Sequence, residues 1–153
     1  MLDFMRLTLA YIGARAGSAD RLEQLCQDYL RRAAVYASCS TEGFRGEQAF
    51  LEWLERQKGR TAPVAALLDA RGRQMTSEAL AGWLEARRND GTQQTVFAVG
   101  PSDGWSEAAR ERAQLLLSLG PMTLAHSLAR LVIAEQIYRA FTILSGHPYH
   151  TGH

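Results

Sequence analysis

An α/β domain built on a mostly parallel sheet, with helices covering both faces, is the fold class that three observations predict. Short apolar runs alternate with amphipathic segments along the chain, as in sheets wound with helices. Two of the runs, Pro63–Leu68 and Thr95–Val99, are almost continuously apolar, which suits strands buried on both faces. The length of 153 residues and the 46% apolar composition allow one domain with a sizeable core. Residues 1–153 therefore read as a single domain without internal repeats, ending in a polar tail over 145–153.

Residues 6–12, Arg-Leu-Thr-Leu-Ala-Tyr-Ile, read as the first strand, stopped by Gly13. Asp20 followed by Glu23 has the spacing of a helix start. Behind it Leu22, Leu25, Cys26, Tyr29, Leu30 and Ala33 share one helical face. A short second strand is expected over 34–39, and the polar, glycine-bearing segment Thr41–Gly46 reads as a loop. Phe50, Leu51 and Leu54 mark a second helix that ends near Lys58-Gly59. After the strand at 63–68, Asp69–Met75 reads as a loop around Gly72. Thr76 or Ser77 caps the next helix, with Leu80, Trp83 and Leu84 facing inward and Asn89-Asp90-Gly91 closing it. The strand Thr95–Val99 runs into Gly100-Pro101-Ser102-Asp103-Gly104. A helix over Ser106–Leu115, a last short strand at Leu116–Leu119 and a long helix over Leu124–Leu144 complete the order. Open parallel sheets hold ligands beyond the carboxyl ends of their strands. Here those ends are followed by the loops after Leu68, Val99 and Leu119.

Composition narrows the class. A formal net charge of +1 excludes a strongly basic clamp for nucleic acid. Nearly all side-chain cations are arginine, with Lys58 the lone lysine; a GC-rich genome is the plain explanation, although the planar guanidinium also suits phosphates. Cys26 and Cys39 have no paired spacing, so neither a disulfide framework nor a zinc site is expected. No apolar run reaches the length of a membrane span. The amino-terminal stretch carries Asp3 and lacks the signature of a signal peptide, so a cytoplasmic location is expected. In the last helix Leu128, Leu131, Val132, Ile133, Ile137, Tyr138, Phe141 and Leu144 cover more than one apolar stripe. That breadth suggests burial on two sides, against the sheet and against a second copy. Glu135 and Arg139, four apart, read as an exposed ion pair. His147, Tyr149, His150 and His153 crowd the tail without metal-ligand spacing, so no metal is expected and a frayed terminus is the plain reading.

The carboxyl-terminal third reads Met122-Thr123-Leu124-Ala125-His126-Ser127-Leu128-Ala129-Arg130, then Glu135-Gln136-Ile137-Tyr138-Arg139-Ala140-Phe141, and finishes with Gly146-His147-Pro148-Tyr149-His150. This closely resembles the RlmH family, the pseudouridine N3-methyltransferases of 23S ribosomal RNA in the SPOUT superfamily. The Leu68-Asp69 and Val99-Gly100 turns match the same family, and the resemblance runs from about Met5 to the end. It implies a SPOUT fold with a trefoil knot at the carboxyl end and S-adenosyl-L-methionine as cofactor. It also implies a homodimer with its site at the subunit interface, acting on 23S rRNA of the assembled ribosome. Two departures stand out: Pro101 replaces the usual second glycine, and Ala125 replaces the proline before the histidine matched by His126. A proline lacks a backbone donor. Pro101 therefore leaves open a non-catalytic ribosome- or RNA-binding relative, beside a SPOUT enzyme with another RNA target.

By the resemblance, Leu68, Gly100, Gly104 and the run Leu119, Gly120, Pro121, Met122, Thr123 and Leu124 surround the cofactor. Taken alone, the 100–104 glycines read as an ordinary strand-to-helix turn. The candidate catalytic residues are His150, Tyr149, Arg139 and His126. His126, otherwise a cap or structural histidine, falls near the cofactor loop at the dimer interface. Histidine titrates near neutrality, so His150 is the candidate acceptor of the imide proton. The Tyr149 ring is suited to stacking on the target base, and Arg139 to holding RNA or the partner chain. Arg15, Arg31, Arg32, Arg71, Arg73, Arg87, Arg88, Arg130 and Arg139 are candidate RNA contacts, although most surface arginines simply keep helix faces solvated.

Overall fold

The computed structural model describes residues 5–13, 20–57, 59 and 61–152; Arg15, Lys58, His153 and the residues before Met5 lie outside this set. Five strands and five helices alternate: β1 Arg6–Ile12, α1 Arg21–Ala33, β2 Ser38–Phe44, α2 Glu47–Arg56, β3 Val64–Gln74, α3 Ser77–Asn89, β4 Gln94–Val99, α4 Glu107–Arg112, β5 Leu115–Ser118 and α5 His126–Ser145. The strands form one sheet in the order β2-β1-β4-β3-β5, and every pairing is parallel.

Alternation along the central strands builds two cores. In β1, Leu7, Leu9 and Tyr11 face α1, α3 and α5, while Ala10 and Ile12 face α2 and α4. Phe97 and Val99 of β4 join the first core, and Val96 and Ala98 the second. Every residue of β4 is buried, as the almost unbroken apolar run requires of a strand covered on both faces. Phe50 and Leu54 of α2 seal the second core against Trp105 and Ala109.

Two expected loops are strands. Thr41–Gly46 supplies most of β2, which begins at Ser38 rather than at residue 34, and residues 34–36 form a turn. β2 is polar because it is an edge strand: it pairs only with β1, and most of its residues are half-buried or exposed. The segment Asp69–Met75 continues β3 through Gln74, but with an irregularity. Leu68 and Arg73 both face Leu117, so residues 69–72 are thrown out as a bulge. Gly72 passes so close to β5 that a Cβ there would meet the Leu116 carbonyl carbon and oxygen at 2.5 Å. The remaining boundaries shift by a few residues; α4 is shorter than expected, and β5 begins at Leu115.

α5 packs most of its apolar surface inside the chain. It lies between α1 and α3 over the sheet, and Ile133, Ala134, Ile137, Tyr138, Ala140 and Phe141 are all buried within one chain. Part of its apolar breadth is used within the chain, while Leu131, Val132 and Leu144 stay half-buried and Leu128 exposed. Gly72→Ala is expected to destabilise the protein by about 1–3 kcal/mol, because the atoms in its way are backbone and cannot swing aside. Urea denaturation measures this, and an unchanged midpoint would show that β3 and β5 can separate there freely.

Candidate functional site

The strand register brings three turns to one level. Leu68 is opposite Val99 on one side and Leu117 on the other. The 69–72 bulge, the Gly100–Gly104 turn and the run from Ser118 therefore leave the sheet side by side. Trp105 joins the first two of these. Its indole N–H donates to the Leu68 carbonyl oxygen at 3.0 Å, and its ring covers Gly100, where a Cβ would sit 2.6 Å from the ring. Asp69 anchors the bulge: its Oδ1 accepts from the Arg71 backbone N–H at 2.8 Å, and its Oδ2 lies 3.1 Å from Arg110 Nε on α4. The Pro101 carbonyl accepts from the Gly104 N–H at 2.9 Å, so this turn closes without a second glycine at 101.

Where β3 and β5 end, α3 and α5 wall a cavity of about 230 Å³. Its apolar surface comes from Leu80, Leu117, Leu119, Val132 and Ile133, and its polar groups include Ser77, Ser118 and Gln136. The Ser77 hydroxyl donates to Gln136 Oε1 at 2.7 Å. Ser118 Oγ both accepts from the Gly120 N–H at 3.1 Å and lies 3.2 Å from the Gly120 carbonyl, which folds the turn over the opening. Of the candidate cofactor residues, Leu119 and Gly120 line this cavity. Leu68 and Gly100 sit at the neighbouring strand ends. Gly104, Pro121, Met122 and Thr123 are exposed, and Leu124 is half-buried. Sequence reasoning missed Gln74, Met75 and Ser77 because it read them as loop and cap. It missed Trp105 because nothing in the spacing says that an aromatic after a glycine turn will fold back over it.

The tail is ordered against α5 and α3. Gly146 takes a left-handed conformation, φ +76°, and caps α5 with the His147 N–H on the Thr142 carbonyl, so the chain doubles back along the helix. The Tyr149 hydroxyl donates to Glu135 Oε2 at 2.7 Å, and its ring meets Tyr138 edge-on at 4.7 Å. Arg139 grips Glu135 through Nη2 at 2.6 Å and Nε at 3.3 Å, lies over the Tyr149 ring, and reaches His150 Nδ1 at 3.0 Å. His150 Nε2 faces Glu78 Oε2 of α3 at 2.9 Å. These partners select the neutral tautomer with its proton on Nε2 and its Nδ1 lone pair on Arg139. The hydrogen bond from His150 holds the Glu78 carboxyl below its usual range. Burial first, then the bond to Glu135, pushes the Tyr149 phenol up, so it serves as a donor and not as a base. Glu135 and Arg139 are thus no exposed pair; both side chains are largely covered and hold the tail.

His126 is not part of that cluster. It stands thirteen residues, about 20 Å, before Arg139 along α5. There it borders the end of β1, with its ring edge-on to Tyr11 and near Gly13. Its Nε2 is buried without a hydrogen-bond partner among the described residues. Arg130 is packed over the Tyr11 ring at 3.7 Å and paired with Glu23, whose backbone N–H in turn caps α1 on Asp20 at 2.9 Å. Burial raises both thiols, Cys26 and Cys39, to about 11, so neither is a thiolate nucleophile near neutrality. Among the described residues no group of histidine, cysteine and carboxylate side chains could hold a metal ion, and no helix is long and apolar enough to cross a membrane.

Comparison with known proteins gives a consistent picture. A family model described as "Predicted SPOUT methyltransferase" matches residues 5–150. The chain is 47% identical over 151 residues to a Koribacter versatilis protein named Ribosomal RNA large subunit methyltransferase H, covering 97% of this chain and all of that one. A Gloeobacter violaceus protein of the same name is 42% identical over 161 residues, again with 97% and 100% coverage. Among solved structures, the SpoU methyltransferase AviRb of Streptomyces viridochromogenes, in complex with AdoMet, aligns at a TM-score of 0.48 and 14% identity, over 91% of this chain and 58% of that one. That likeness is too remote to carry a ligand or a contact across.

The buried His126 ring has a consequence for pH. Burial, then the Arg130 charge, lowers its pKa below the ordinary 6.5. Its contribution to stability is therefore complete above about pH 6.5 and is lost as the pH falls through the folded-state value. Melting curves at about pH 7.5 and about pH 5 should show His126→Phe losing less stability on acidification than the parent. Equal losses would mean that this ring does not titrate with folding.

Proposed function

Because the chain belongs to the SPOUT methyltransferase family, we propose that it N3-methylates a pseudouridine in 23S rRNA of the assembled ribosome as a homodimer. It is an S-adenosyl-L-methionine-dependent methyltransferase of large-subunit ribosomal RNA. The observation that carries the reading is agreement between scales. Relatives with that name align over their whole length, and the three turns that the resemblance picks out lie at one level in the sheet.

The cofactor supplies a methyl group made electrophilic by its sulfonium sulfur. The residues present fit it: apolar walls from Leu80, Leu117, Leu119, Val132 and Ile133 beside few polar groups are the usual make-up of a small-molecule site. Leu68, Gly100 and the run from Leu119 to Leu124 would hold it, with Trp105 fixing the first two relative to each other. The knot and the cytoplasmic setting belong to the same proposal. So does the second copy, for which exposed Leu25, Met122 and Leu128 offer apolar contact.

The rest of the chemistry falls to the tail. The target nitrogen must lose its proton, and holding reactants in place accounts for a large part of such an acceleration. Tyr149 keeps its proton, and its ring, set against Tyr138 and under the Arg139 guanidinium, becomes a face for the base when Arg139 moves. His150 takes a proton only when Arg139 leaves its Nδ1 lone pair, so Arg139 acts as the gate to the base. Glu78 retains the opposite ring nitrogen throughout.

Mass spectrometry of large-subunit rRNA from a deletion strain should show one pseudouridine lacking its methyl group; unchanged rRNA would end this reading. Purified protein should bind S-adenosylmethionine by calorimetric titration. Trp105→Phe, which removes the bond to the Leu68 carbonyl but keeps an aromatic ring, should weaken that binding. His150→Ala is expected to slow single-turnover methylation by about 10²-fold or more while leaving cofactor affinity unaltered. An unaltered rate would remove His150 as the base.

A further inference from the structure

The arginines are not equivalent once the fold is known. Arg31, Arg71, Arg87, Arg130 and Arg139 each have a carboxylate partner, covered at Arg130 and Arg139 and open to solvent at Arg31 and Arg71. Among the described residues no carboxylate pairs with Arg32, Arg73 or Arg88. Only Arg32 of these three is built against the tail's aromatic cluster. Its guanidinium lies 5.3 Å from the Tyr29 ring centre and 5.9 Å from that of Tyr138, and Tyr138 meets Tyr149 at 4.7 Å. Arg32 is exposed in the last turn of α1.

From this placement we infer that Arg32 is a phosphate contact that fixes the ribosomal RNA backbone beside the nucleotide received at the tail. The inference rests on the substrate being ribosomal RNA. Two tyrosine rings lie against the guanidinium of an exposed side chain, which leaves it less freedom to lose when a phosphate arrives. An unneutralised cation at this point also accounts for how a chain of net charge +1 can grip RNA locally without a basic surface overall. Arg139, a few ångströms from the same Tyr149 ring, cannot fill this role while Glu135 neutralises it.

The test is binding, which needs no turnover. The full-length protein, Arg32→Ala and Arg32→Lys are co-sedimented with ribosomes from a strain lacking the modification, at several salt concentrations. Arg32→Ala should bind about tenfold more weakly at moderate salt, and its plot of log affinity against log salt should be shallower by about one. Arg32→Lys should keep the parental slope yet bind less tightly, because an ammonium does not stack as a guanidinium does. A parental affinity and slope for Arg32→Ala would overturn the inference. So would weaker binding with an unchanged slope, because the loss would then come from packing and not from phosphate. A parent protein that binds ribosomes but transfers no methyl group would refute the proposed reaction, and the binding comparison would still decide the role of Arg32.

Discussion

The register of β3 between β4 and β5 is the constraint on which this molecule depends. Leu68 opposite both Val99 and Leu117 places three chain exits in one row. Shifting a strand by one residue would also turn its apolar set to the wrong core, since the two faces are filled by alternate residues. The same hydrophobic alternation that stabilises the sheet therefore sets these loops side by side. The bulge at 69–72 lets β3 continue along β5 after the exit, and Gly72 makes the close approach possible.

The second organising feature is α5. Packed between α1 and α3 over the sheet, it carries the cavity wall at Val132, Ile133 and Gln136 and the tail anchor at Glu135 and Arg139. Consecutive residues thus serve two neighbouring places. The first turn of α3 repeats the arrangement, with Ser77 on the cavity and Glu78 on His150. The cavity wall and the tail anchor are therefore neighbours along two short helical turns. His126, at the far end of α5, belongs instead to the Arg130–Glu23 pair and the end of β1.

What could be read in advance follows from which forces are local. The first and fourth strands, the α1 and α3 caps at Asp20 and Thr76, and the buried face of α1 all express periodicity and short-range hydrogen bonding. β2 escaped that reading because an edge strand is half in water and its polar side chains satisfy both settings. The continuation of β3 escaped it because a glycine flanked by arginines signals a loop locally, while its pairing partner lies more than forty residues away. At the site, a long motif named the tail and the last turn. It did not show that Arg139 occupies the His150 lone pair, or that Trp105 would tie Leu68 to Gly100.

By itself the sequence determined an α/β order of elements, two-sided burial of the central strands, and membership of a methyltransferase family, because these depend on residue types and their spacing along the chain. Only the tertiary structure decided which arginines are neutralised, which tautomer His150 adopts, where α5 spends its apolar breadth and which residues wall the cavity. Each of those is settled by contacts between segments far apart in the chain, whose energies depend on distance and on the exclusion of water and so have no value until the fold brings the groups together.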